Sequence, residues 1–252
     1  NIYLQADNNI GSSTNPLTVQ LSGNGTLSGQ AGGAITLASP SGTLALTITD
    51  LTAENDIWLD GEADIILKNA ITANNGSIII NALKNVTISG TVQTSNSLDS
   101  VTIYGATITE GGAGLIRTAQ LTALSSNGQT LIGTNAVDSF NATNSNGGDI
   151  LFNNTAGTLT LTGISQENGG NVAINNTGAI AVTGTVATTG NVNLTASEAI
   201  TESSSGQIID AALLTTQSKG GQSLTGANTV KAFNATNVGS GEIQLINSAA
   251  EL

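Results

Sequence analysis

Six of the 17 acidic residues in this 252-residue chain fall within 15 positions: Asp50, Glu54, Asp56, Asp60, Glu62 and Asp64. Oxygen donors at that density are what Ca²⁺ requires, because this hard cation takes several carboxylate and carbonyl ligands. Asp56, Asp60, Glu62 and Asp64 are the candidate ligands. Their spacing matches neither an EF-hand loop nor a Gly-Gly-x-Gly-x-Asp nonapeptide roll, and carboxylates on the outer side of a strand are commonly just solvated, so a solvated edge is the preferred reading. The same run could supply the paired acids of glycoside chemistry. Enzymes that work on acidic sugars usually need cations beside those acids, and only Lys68 and Lys84 are near in sequence. Sugar binding also favours an aromatic platform. Trp58 lies inside the run, whereas Tyr3 and Tyr104 are far from it in sequence. Flanked by Ile57 and Leu59, Trp58 should face outward if those two face inward, which makes it a candidate ligand contact.

The remaining chemistry is narrow. The chain has no Cys and no His, which removes disulfides, thiolate or imidazole metal sites and most nucleophilic triads. Its net charge is −12, with Lys68, Lys84, Arg117, Lys219 and Lys231 as the only cations, and this argues against nucleic acid, which demands a basic surface. No apolar run approaches the roughly 18 to 20 residues of a membrane span. Neither a cofactor nor catalytic residues are expected, and the chain is read as a non-enzyme. Aromatic residues make up 2% and charged residues 9% of the chain, against about 25% charged in a typical soluble domain. The expected core is thin and aliphatic.

The elements that would hold these residues recur. Ile57-Trp58-Leu59 is followed by Ile65, Ile78-Ile79-Ile80 by Val86, Val172-Ala173-Ile174 by Ile180, and Val192-Asn193-Leu194 by Ile200. Ile2-Tyr3-Leu4 followed by Ile10 has the same form, and Ile35-Thr36-Leu37 followed by Leu44 has it with one extra turn residue. Apolar residues alternating with Thr, Asn or Ala are strand periodicity. The Gly, Asn, Ser and Asp between the runs make corners. The runs start 20 to 23 residues apart, at 35, 57, 78 and 101 and again at 150, 172 and 192. A sandwich has no reason to rewrite one short unit at that interval, but a parallel β-solenoid does, since equivalent residues then stack about 4.8 Å apart. The predicted fold is all-β, a parallel β-helix (β-solenoid) of roughly 12 coils of about 20 to 23 residues.

A longer repeat overlies the short one. Residues 128–144 (GQTLIGTNAVDSFNATN) and 221–237 (GQSLTGANTVKAFNATN) share 11 of 17 positions at a spacing of 93. The match extends outward, Ile108-Thr109-Glu110 aligning with Ile200-Thr201-Glu202, to define related blocks 108–159 and 200–252. Phe140 and Phe233 are equivalent in the two copies and read as core plugs or caps, and Phe152 reads as core. The chain starts inside a cassette at Asn1, has no Met and no signal segment, and Leu252 aligns with Leu159, after which the first copy continues. Residues 1–252 are therefore expected to be a single solenoid segment cut from a longer array, with open strand edges that favour association into fibres.

Several segments carry a family resemblance: GGAITLASPSGTLALT, GGNVAINNTGAIAVTGTV, GNVNLTASEAIT, the early IGSSTNPLTV, and GTNAV and GANTV, each with FNATN. Together they resemble the repeat region of filamentous-haemagglutinin-like exoproteins, the large adhesins exported by bacterial two-partner secretion. The resemblance implies a right-handed parallel β-helix secreted through a dedicated outer-membrane transporter and held at, or released from, a bacterial surface. It implies an adhesive stalk or filament whose partner is a host or neighbouring-cell receptor or glycan. The family's Asn-Pro-Asn secretion motifs have no counterpart, since the only prolines are Pro16 and Pro40, so transporter recognition is inferred for a parent protein. The alternative is a carbohydrate-binding or carbohydrate-cleaving β-helix using the Asp50 to Asp64 face. Threonines at 43, 47, 49, 158, 160 and 162 suggest an ice-binding array, but the pattern lapses between 50 and 100. Eight Asn-x-Ser/Thr sequons, at Asn24, Asn75, Asn85, Asn141, Asn153, Asn175, Asn193 and Asn234, leave glycosylation open.

Overall fold

A computed structural model describes residues 1–42 and 44–249, so Thr43 of the threonine array and Leu252 lie outside the described residues. The described residues form strands and turns with no helix. The strands stack in parallel as a β-solenoid of about 12 turns, as the periodicity predicts. The chain divides into two compact units, Asn1–Ser125 and Ser126–Leu252.

In the first unit a turn is built from three short strands, and each strand pairs with its counterpart one turn later. One ladder runs through Ile35, Ile57, Ile78, Val101 and Leu121. A second runs through Leu46, Ile65, Val86 and Ile108, and a third through Leu51, Ile71, Val92 and Ile116. These inward positions are 0 to 1% exposed. Full burial of such a side chain contributes about 1.5 to 3 kcal/mol. Alternation follows directly: Ile57–Gly61 reads buried, exposed, buried, exposed, buried.

One detail differs from the sequence reading. The residue equivalent to Ile65 in the preceding turn is Leu46, not Leu44, and Leu44 is 56% exposed. The corner here holds three extra residues rather than one, a length that hydrophobic spacing cannot fix because Leu44 and Leu46 have the same side chain and parity. The cassette also proves interchangeable among corners, since Ile2 stacks on Leu27 whereas Ile57 stacks on Ile35.

In the second unit one ladder runs through Ile150, Val172, Val192, Leu214 and Phe233. A second runs through Leu159, Ile180, Ile200 and Gln222, and a third through Ile164, Val186 and Ile208. The 93-residue repeat does not stack on itself. Gln129 lies in register with Ile150 of the first ladder, whereas Gln222 lies in register with Ile200 of the second. From Ile150 four strands of the first ladder are passed before the chain reaches Gln222. The long period is thus four turns plus one face, and the second copy is rotated by one side of the coil.

Equivalent side-chain amides serve the two copies on their different sides. Asn154 accepts from the Val137 N–H through Oδ1 at 2.9 Å and donates from Nδ2 to the Val137 carbonyl at 2.9 Å. Asn247 does the same for Val230, at 2.8 and 3.0 Å. Asn144 accepts from the Gly128 N–H and Asn237 from the Gly221 N–H, while Gln129 and Gln222 donate to Thr143 and Thr236 carbonyls. Each amide replaces a missing strand partner at a corner, where a buried backbone group left unbonded is costly. Phe140 is fully buried and stacks on Phe152 with centroids 4.2 Å apart. Phe233 is only half-buried, so the plug reading holds for Phe140 and not equally for its copy. Position 245, equivalent to Phe152, is Leu245, and the aromatic partner is therefore not repeated.

Candidate functional site

The acidic run covers most of one winding of the first unit. Asp50 sits at a bulge where Thr49 is inserted against Leu27 and Ser28. Glu54 and Asp56 lie in the turn before Ile57–Gly61, Asp60 points outward from that strand, and Glu62 and Asp64 lie in the turn before Ile65–Leu67. The candidate ligands Asp56, Asp60, Glu62 and Asp64 are thereby spread along two strands and their corners. Among the described residues no group of three or more acids is gathered closely enough to hold a metal ion.

Five of the carboxylates instead accept from the following winding. Asn69 Nδ2 donates to Asp50 at 3.2 Å, and Asn74 Nδ2 to Glu54 at 3.1 Å, with Asn75 also donating to Glu54. The Ser77 N–H donates to Asp56 at 2.8 Å, Asn81 Nδ2 to Asp60 at 2.9 Å, and both the N–H and Nδ2 of Asn85 to Asp64 at 3.0 Å. The pattern is a register device, in which an acceptor side chain takes an amide one turn ahead. It continues without acids, Ser100 donating to Ser77 and Thr107 to Asn85. Asp149 repeats it in the second unit with Asn171, at 2.7 Å to the N–H. Most of these groups are exposed, so each bond contributes about 1 kcal/mol or less.

Trp58 faces outward as expected, 41% exposed. Unforeseen from the sequence is its company. Tyr104, also 41% exposed, lies on the outer side of the same sheet, two turns on and one outward position along, because Tyr104 is in register with Asn81 and Asn81 with Asp60. Walking the period from Ile57 to Ile78 to Val101 and adding three residues finds Asp60, Asn81 and Tyr104, so the signal was present. Tyr3 is 63% exposed in a separate strand, paired with Ser28. Lys68 and Lys84 are exposed.

Glu202 is the titratable group that sequence reading passed over. Its Oε2 accepts from the Gly226 N–H at 2.8 Å and Asn228 Nδ2 at 3.0 Å, while Oε1 is buried without a hydrogen-bond partner. Burial pushes its pKa above the ordinary carboxylate range, opposed by the hydrogen bonds from Asn228 and Gly226. A carboxyl whose pKa is higher folded than unfolded binds more protons when folded, so its contribution to stability is fullest below the unfolded pKa and declines as pH rises to the folded value. Glu202→Gln keeps an acceptor but cannot ionise. Urea titrations should show the variant gaining on the wild type through that window, with the stability difference constant above it. A gap that narrows with rising pH would contradict this account.

No helix among the described residues is long and apolar enough to cross a membrane. Comparison with protein-family models, with curated proteins and with solved structures gives no match to this chain.

Proposed function

We propose that this chain is a non-catalytic structural and adhesive stalk segment of a large secreted bacterial surface exoprotein. The observation that carries the reading is that the acidic run is used along the stack: Asp50, Glu54, Asp56, Asp60 and Asp64 each hold an amide of the next winding. Residues that looked like reagents act as register pins, which is what a scaffold needs. The sequence resemblance to filamentous-haemagglutinin-like repeats supplies the setting, namely export through an outer-membrane transporter of the parent protein, display outside the cell, and association of copies into fibres. The cleaving form of the alternative is disfavoured, since Asp56 and Asp64 are engaged by backbone amides at different corners.

Electron microscopy of the natural full-length product on cells tests the reading. A thin extracellular fibre much longer than this segment supports it, and a compact particle confined to the cytoplasm overturns it. Turnover of any polysaccharide by the purified chain, lost in Asp56→Ala or Asp60→Ala with the fold intact, would favour the enzyme instead.

A further inference from the structure

We infer that the outer sheet face carrying Trp58, Ile79 and Thr102 beside Asp60, Asn81 and Tyr104 binds an extended, uncharged glycan. The site deepens the carbohydrate-binding alternative by adding Tyr104 and the class of glycan, and it does not rest on the stalk reading.

The six residues form a grid fixed by strand register. Trp58 pairs with Ile79 and Ile79 with Thr102, while Asp60 pairs with Asn81 and Asn81 with Tyr104. The aromatics occupy diagonal corners. Two inter-turn steps of about 4.8 Å and two residues of about 3.3 Å along the strand separate their Cα atoms by about 12 Å, comparable with the length of a disaccharide. Two exposed rings on one sheet face at that distance offer stacking surfaces to alternate sugars of a linear chain.

The groups between the rings select hydroxyls. Asn81 Nδ2 donates to one oxygen of Asp60 at 2.9 Å, and both residues are exposed. The second carboxylate oxygen and the Asn81 carbonyl oxygen are left as acceptors, which a sugar hydroxyl satisfies and which a carboxylate or sulfate group on the sugar, itself an acceptor only, does not. The net charge of −12 adds long-range repulsion against acidic glycans. An apolar protein or lipid partner would leave the Asp60 carboxylate desolvated beneath it, at a cost that no cation among the six residues offsets.

Trp58 is the chain's only tryptophan, so its fluorescence reports on this face alone. The whole chain is titrated with cellohexaose, with chitohexaose and, as the acidic counterpart, with a hyaluronan hexasaccharide. A saturable emission change with at least one neutral oligosaccharide is expected, with hyaluronan weaker. Tyr104→Ala should weaken binding about tenfold, corresponding to one lost stacking ring, and Tyr104→Phe should restore it. Tyr3→Ala should leave it unchanged. Tyr104 faces outward between the buried Ile103 and the corner at Gly105, so its removal leaves the inner ladder in place, and circular dichroism confirms the fold of each variant. No response to either neutral sugar, an equal or stronger response to hyaluronan, or full binding by Tyr104→Ala would overturn the inference. So would a response confined to phosphatidylcholine vesicles. A glycan-negative result leaves the fibre test of the stalk unaffected, and the two failures are distinguishable.

Discussion

Replacing Ile80 by alanine is expected to cost about 2 to 5 kcal/mol of unfolding free energy, whereas the same change at the adjacent Ile79 should cost less than about 1 kcal/mol. The two residues are chemically identical and covalently joined. Ile80 is fully buried, in register with Leu59 and Ile103, both also 0% exposed. Removing it opens a void in a column only one side chain wide, and windings locked above and below by continuous ladders cannot close in to fill it. Ile79 lies on the outer face between Trp58 and Thr102, where water replaces what is removed. Urea unfolding of both variants measures the contrast. Equal losses at the two positions would mean that the strand is not oriented as described.

Asn154→Ala should be the most damaging polar change in the second unit. The side chain serves both the N–H and the carbonyl of Val137 at 2.9 Å, and donates to Asn176 Oδ1 at 3.1 Å. Truncation strands a buried donor and acceptor together, at about 1 to 3 kcal/mol for each unsatisfied group. Asn154→Leu should do no better although it restores volume, because the loss is of hydrogen bonds. Asn154→Asp should also fail, since an ionised carboxylate can accept from Val137 but cannot donate back. The equivalent Asn247→Ala should cost less, because Asn247 is half-buried where Asn154 is 3% exposed. Hydrogen exchange at the Val137 amide provides the local reading, with protection lost in Asn154→Ala. Retained protection would show that another group bonds this amide.

The fold could be read from the chain because its hydrophobic code is written in full: Ile57, Ile78 and Val101, and likewise Ile150, Val172 and Val192, stand in the register that their spacing indicates. Turn lengths were less legible, as Leu44 and Leu46 show, because corner residues face solvent and little constrains them. The site was half legible. Alternation within a single strand sufficed to turn Trp58 outward, but proximity to Tyr104 depends on the exact residue count of two intervening turns. The acidic run was conspicuous for its composition and misleading as a cluster, since a stretch of 15 residues in a solenoid wraps most of the way round the axis instead of converging. The meaning of Asn154 and Asn144 was hidden for another reason: an amide that imitates a strand is indistinguishable in sequence from one that is solvated.

The rotated repeat has a geometric consequence. A block that advances by whole turns plus one side returns to its starting side only after three copies on a three-sided coil. Any feature carried by such a block, whether a sugar, a charge or a contact patch, would wind about the axis like the thread of a screw. Copies of such a block would then present the same feature on each of the three sides in turn.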